Sequence, residues 1–194
     1  MKKTILYVAL AILNVSLFAQ AKWTVDNVHS TVRFSVSHLV VSEVEGTFKT
    51  YSGTITSAKP DFTDAVIEFS IDVKSINTEN EMRDNHLKSA DFFDAEKFPQ
   101  ATFKSTQLKL ISGNKYALYG NLTIHGITKA VTFDVTFGGT TGDGYGNTKA
   151  GFKASTTINR FEYDLKWNKL TEAGGASVGQ DVTITVKLEL VKSK

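Results

Sequence analysis

Val32, Phe34 and Val36 alternate with Arg33, Ser35 and Ser37, and this two-residue period is the feature that most restricts what the chain can become. Successive side chains of an extended strand point to opposite faces, so the alternation describes a strand that is buried on one side only. The pattern returns at Ile67, Phe69, Ile71 and Val73, at Val131, Phe133, Val135 and Phe137, and at Val182, Ile184, Val186, Leu188 and Leu190. Weaker versions over about 44–56, 99–110, 114–124 and 147–159 bring the count to eight candidate strands. Ser112-Gly113-Asn114, His125-Gly126 and the glycine-rich stretch 138–146 read as hairpin connections between consecutive strands.

One segment breaks the rhythm. Thr78-Glu79-Asn80-Glu81 has the form of a capping box, and Met82, His86 and Ala90 follow at helical spacing, so a short helix is expected over about 79–90. An aromatic turn, Asp91-Phe92-Phe93-Asp94 to Phe98-Pro99, follows it. The fold class is all-β and antiparallel. Eight one-faced strands can stack as a sandwich or close into a barrel, and periodicity does not choose between them. A barrel of about eight strands has an interior that side chains fill or share with one small ligand.

The first 21 residues carry Lys2 and Lys3, a mainly apolar run from Ile5 to Phe18, and Ala19-Gln20-Ala21, which together read as a secretory signal peptide. The run falls short of the roughly 20 residues needed to span a bilayer. Removing the leader takes two lysines with it, leaving 20 basic against 20 acidic residues. A neutral chain without a dense Lys/Arg cluster has no field to attract nucleic acid. Export also places the protein away from ready ATP or NAD(P)H, so no cofactor is expected. With no cysteine there can be no disulfide, thiolate metal site, cysteine nucleophile or lipidated N-terminal cysteine.

Beyond residue 21 the chain is similar, almost end to end, to the YceI-like family of secreted bacterial proteins. The resemblance rests on Trp23-Thr-Val-Asp26, His29-Ser30, Phe34-Ser-Val-Ser-His38-Leu39, Gly46-Thr-Phe48, Ser75-Ile-Asn-Thr78 and Arg83-Asp84-Asn-His86-Leu87. It continues through Asp91-Phe-Phe-Asp94, Phe98-Pro99, Thr102-Phe-Lys-Ser105, Gly120-Asn-Leu-Thr-Ile-His-Gly126 and Asn159-Arg160. It implies a periplasmic, lipocalin-like, eight-stranded antiparallel barrel with a helical insertion. Such a barrel would hold a long apolar chain: a polyisoprenoid, an isoprenoid quinone or a fatty-acyl compound. The chain departs from the family after Arg160, where Phe161-Glu-Tyr-Asp-Leu-Lys-Trp-Asn replaces a small, glycine-containing continuation. Three aromatics at a barrel mouth would alter the entrance and the preferred ligand.

On this reading the ligand tail is lined by Val32, Phe34, Val36, Phe48, Ile67, Phe69, Ile71, Val73, Phe103, Leu118, Leu122, Val131, Phe133, Val135, Phe137, Phe152, Ile184 and Val186. Arg83, His86, Asp91, Phe92 and Phe93 would sit at the rim or on the head group. The alternative is a barrel filled by its own phenylalanines that acts through a protein partner, in envelope stress or respiratory electron transfer. Transient membrane contact and a homodimer are compatible with either.

Three motifs suggest chemistry and do not carry it. Gly175-Ala-Ser177-Val-Gly179 matches a hydrolase nucleophile elbow, but a strand follows it and no histidine lies beyond residue 125. His29, His38, His86 and His125 lack metal-site spacing, and no metal is expected. Gly142-Asp-Gly144-Tyr-Gly146 joins strands and opens no helix, so it is no phosphate cradle. No catalytic residue is identified.

Overall fold

A computed structural model describes residues 20–169 and 177–193. Most of the leader, residues 1–19, and part of the Gly175–Gly179 motif therefore lie outside the described residues. The strands are β1 (Ala21–Val25), β2 (Thr31–His38), β3 (Ser42–Phe48), β4 (Tyr51–Ser57), β5 (Val66–Asp72) and β6 (Ile76–Asn77). After the helix α1 (Glu81–Lys88) come β7 (Gln100–Ser112), β8 (Lys115–Ile124), β9 (Ile127–Gly142), β10 (Thr148–Asn159) and β11 (Val178–Lys192).

These eleven segments make eight staves. β1 and β2 run in line along the same edge of β11, with Val25 opposite Leu190 and Thr31 opposite Lys187. β3 and β4 lie beside them as one stave bent at residues 49–50, and β5 and β6 form a third, broken by the 3-10 turn Val73–Ser75. The order then follows the sequence, β7 to β11, and pairing of β1 with β11 closes the ring. The fold is a closed, eight-stranded antiparallel barrel with one short helix.

Closure needs a special arrangement where β1 gives way to β2. The backbone groups of Glu189 face the break, and each must find a partner because an unpaired group there would be costly. The Asp26 N–H donates to the Glu189 carbonyl at 2.9 Å, and the Glu189 N–H donates to Ser30 Oγ at 3.0 Å. Over the same seam Lys149 Nζ lies 2.7 Å from Asp26 Oδ2 and 3.0 Å from Glu189 Oε1, with His29 Nδ1 3.0 Å from Asp26 Oδ2.

One end of the barrel is sealed by aromatic packing. Phe62, in the β4–β5 connection and at a strained positive φ of 59°, packs on Trp23, Phe137 and Phe152 with ring centroids 5.1–5.4 Å apart. At the other end, no ladder joins the third and fourth staves beyond Asp72–Gln100 among the described residues, and the chain from α1 to Phe98 follows β6 there.

Two local expectations need correction. The helix is capped two residues later than its sequence suggests: Asn80 Oδ1 accepts the Arg83 N–H, while Thr78 is held by Asp84 through both its N–H and its hydroxyl. Met82 is 83% exposed and the buried residue of α1 is Asp84, so the helix is fixed by polar contacts in place of an apolar stripe. Residues 138–142 are strand, not loop. A bulge sets Gly151 opposite Gly139 and Phe152 opposite Phe137, and the turn is confined to 143–147. β1 itself has too short an alternation to register in the sequence.

The seam makes stability depend on pH. Hydrogen bonds from Lys149 and then His29 hold Asp26 far below the usual carboxylate range, and Asp26 in turn raises His29. A depressed carboxylate contributes stability above its unfolded value, about 4, and loses it as the pH falls toward its folded value. A raised histidine contributes fully below about 6.5 and loses that contribution as the pH rises through its folded value. Asp26→Asn should therefore lower Tm most between about pH 4 and 6.5, with the gap shrinking on either side, as thermal melts across pH will show.

Candidate functional site

The barrel is hollow. A cavity of about 210 Å³ runs through it, many times the roughly 10–15 Å³ that one water molecule occupies by the same measure. Apart from Arg33 and Arg160, every lining residue is apolar. On β11 the lining extends from Val178 to Leu190, which is roughly 40 Å along the strand, or about 30 Å along a barrel axis at the usual tilt.

Most of the residues selected by alternation line this space: Val32, Phe34, Val36, Phe48, Ile67, Phe69, Ile71, Phe103, Leu118, Leu122, Phe133, Val135, Phe152, Ile184 and Val186. Three do not. Val73 falls in the 3-10 turn, which ends the period-two rule, and is buried in the core outside the cavity. Val131 lies beyond the last β9–β10 pair, opposite Gly120, and packs at the core's margin. Phe137 stacks on Phe152 at 4.8 Å in the aromatic seal.

Aromatic rings do not fill the lumen because glycines take them in. Gly46 faces Phe34 across β2 and β3, and Gly53 faces Phe69 across β4 and β5. Each ring lies across its glycine so closely that a Cβ there would collide with it, reaching 2.6 Å from Phe69 Cδ2 in the second case. The rings thus flatten against the wall, covering backbone that has no side chain of its own.

The lining also includes residues outside the expected set. Val182, Leu188 and Leu190 belong to the alternation of β11 and share the inward parity of Ile184 and Val186. Phe62 and Leu165 reach the cavity from connections, where no period exists to read, and Leu87 reaches it from α1, where Met82 and Leu87 are too few to trace an apolar face.

At the end opposite the Phe62 seal, Leu87, Phe92, Phe93 and Leu165 line the cavity. His86 packs edge-on against both Phe92 and Trp167, with centroids 5.1 and 4.9 Å away, and its Nε2 lies 3.0 Å from Asp91 Oδ2. Of the expected rim residues, Phe92 and Phe93 face the cavity, His86 packs on Phe92, and Asp91 is exposed. Arg83 is turned away, donating from Nε and Nη2 to the hydroxyl and carbonyl of Thr78, each at 2.7 Å.

Arg160 organises the aromatic segment that follows it. The residue is 3% exposed, and its guanidinium donates to the carbonyls of Gly179 at 2.7 Å, Trp167 at 2.9 Å, Val178 at 3.1 Å and Leu165. A single planar cation thereby ties residues 160–167 to the start of β11. Tyr163 is buried beside it in sequence, and burial pushes its phenol up to about 12.

Ser177 makes no nucleophilic arrangement: its hydroxyl donates to Asn168 Oδ1 at 3.1 Å. Asp26, His29 and Glu189 place ligand atoms within 4.8 Å of one another, a grouping that the sequence spacing conceals. Lys149 already bridges the two carboxylates, and an ammonium at that position competes directly with a metal cation.

A hollow barrel with this strand order can be compared with known proteins. The YceI-like domain model matches residues 23–190. The chain belongs to the YceI-like family. A UPF0312 protein of Staphylococcus aureus is 39% identical over 168 residues, spanning 86% of this chain and 95% of the relative. The crystal structure of BcnA from Burkholderia cenocepacia is similar with a TM-score of 0.74 at 28% identity, covering 85% of this chain and 98% of that one. A polyisoprenoid-binding domain from Saccharophagus degradans, implicated in plant cell wall breakdown, shares the fold at a TM-score of 0.65 and 17% identity, covering 88% and 98%.

Two substitutions probe this architecture. Gly53→Ala should drive the Phe69 ring into the lumen, costing about 1–3 kcal/mol in a urea titration and shrinking the cavity seen by crystallography. Arg160→Met leaves buried carbonyls unpaired and should cost about 3 kcal/mol, which Arg160→Lys should not restore because one ammonium cannot span the fork of acceptors.

Proposed function

We propose that this protein binds and carries a long apolar lipid in the bacterial envelope without performing chemistry on it. The observation that carries this reading is the cavity wall: a long slot with carbon lining and two arginines as its charged members. A site of this kind recognises length and shape of a hydrocarbon, with little to orient a polar group inside. The ligand classes that fit are a polyisoprenoid, an isoprenoid quinone or a fatty-acyl chain. The polyisoprenoid-binding domain that shares the fold supports the first.

The lining has no carboxylate, histidine or hydroxyl among the described residues, which supports binding over catalysis. Periplasmic placement rests on Lys2, Lys3, the apolar run and the Ala19-Gln20-Ala21 site of the leader.

Energetics favour carriage. Taking roughly 30 carbons from water at about 0.8 kcal/mol per CH₂ would exceed any observed affinity, and release would never occur. A membrane is the relevant source, and there the chain is already in hydrocarbon. Transfer into the barrel is then close to neutral, so the protein can both load and unload.

Protein purified without detergent should show a stoichiometric long-chain adduct by native mass spectrometry, identified after organic extraction. Ala154→Trp, which adds bulk at a small lining position, should lose the adduct while keeping a cooperative melt. A clean apo mass with no uptake of added polyprenols, quinones or fatty acids would sink the carrier reading.

A further inference from the structure

The hairpin from β2 to β3 turns on Leu39, Val40 and Val41, which are 43%, 79% and 86% exposed. Three consecutive exposed aliphatic residues are unfavourable in water. The backbone is unfavourable as well, because Leu39 and Val40 both have positive φ, 52° and 67°. Turns of this hand take Asn or Gly readily, and a β-branched residue there is strained. Nothing in the barrel gains from this choice, since the side chains contribute no buried core.

The tip's position gives it a use. His38, at the end of β2, pairs with Val178, and the Leu39 N–H donates to the Ser177 carbonyl at 3.0 Å. Val36 and Val178 line the cavity, so the tip extends the cavity wall at the Arg160 end, opposite the Phe62 seal. Its side chains project into solvent at the end of the β2–β3 hairpin. The charged residues around the tip are of mixed sign, Glu43 and Glu45 on β3 and Lys169 across Ser177, whose N–H donates to the Lys169 carbonyl at 2.9 Å, so the tip has no cationic cluster to attract anionic lipid.

We propose that Leu39–Val41 is a membrane-docking tip that inserts among the lipids of a bilayer and brings the cavity's loading end onto the surface. The occupant is a lipid surface because consecutive exposed aliphatic side chains at the end of a hydrocarbon-lined cavity need only hydrocarbon to bury them, and the membrane is the source of an apolar ligand. The strained turn is then held in the geometry that exposes these side chains. This inference rests on the carrier reading and names where the ligand enters.

The test uses leaderless full-length protein, phosphatidylcholine vesicles, and cis-parinaric acid as a fluorescent apolar probe. Wild type should float with the vesicles, weakly dependent on salt. The variant Leu39→Asn/Val40→Gly/Val41→Ser should bind vesicles about tenfold less or weaker, with an unchanged or higher Tm because Asn-Gly suits the turn. Its probe uptake from vesicles should slow to a similar degree, whereas uptake from a cyclodextrin complex should match wild type. Val41→Asp alone, outside the strained positions, should reproduce the loss of flotation. The proposal is overturned if wild type does not float, if the variants float like wild type, or if uptake from cyclodextrin falls in parallel. Failure of wild type to take probe from cyclodextrin would instead overturn the carrier reading, and flotation would still judge the tip.

Discussion

The structure depends on β11 closing the ring. One edge of this strand pairs with β10, while the other serves two strands, β1 and β2, separated by a break. The backbone of Glu189, left facing that break, is satisfied by Asp26 and Ser30, and Lys149 gathers the carboxylates across the same seam. If the seam opened, two long edges would be bare and the apolar lumen would meet water. The stretch from Trp23 to Ser30 is therefore structural first: it lets one strand close a barrel around empty space.

That emptiness is itself a physical problem. Protein interiors pack as densely as organic crystals, and a void forfeits dispersion contacts. A phenylalanine-rich lumen would collapse if its rings pointed inward, but Gly46 and Gly53 allow Phe34 and Phe69 to lie along the wall. The wall is stiffened by the ladders, and the missing contacts remain available to a ligand. An apolar chain entering the lumen supplies the dispersion partners that the lining lacks.

The two ends differ in how they are held. The Phe62 seal is held by aromatic packing against Trp23, Phe137 and Phe152. The other end is assembled from pieces the sheet does not include: α1 held by Asp84, the Phe92–Trp167–His86 cluster, and residues 160–167 bound to β11 through Arg160. Elements outside the ladder can shift without breaking the barrel, which suits an entrance. Trp167 packs on His86 and Phe92 there, which sets the aromatic segment after Arg160 beside this end of the cavity.

The sequence by itself determined most of the strands and their inward faces, because alternation is local: Val32, Phe34 and Val36 need only their own backbone to share a side. It held the count of eight even where staves bend, since a bend at residues 49–50 leaves both halves on one edge. It erred where the period is interrupted, at Val73 in a 3-10 turn, and it was silent on Phe62 and Leu165, which reach the cavity from connections, and on Leu87, which reaches it from α1. Arg160 was visible as a residue, but its role as a clamp depends on carbonyls from segments on both sides of the loop. Whether eight strands stack or close, and whether the closed barrel fills or stays hollow, was decided only in three dimensions. Closure requires pairing between the two ends of the chain, and hollowness requires rings from one strand to meet glycines on the next, and neither relation exists within a single strand.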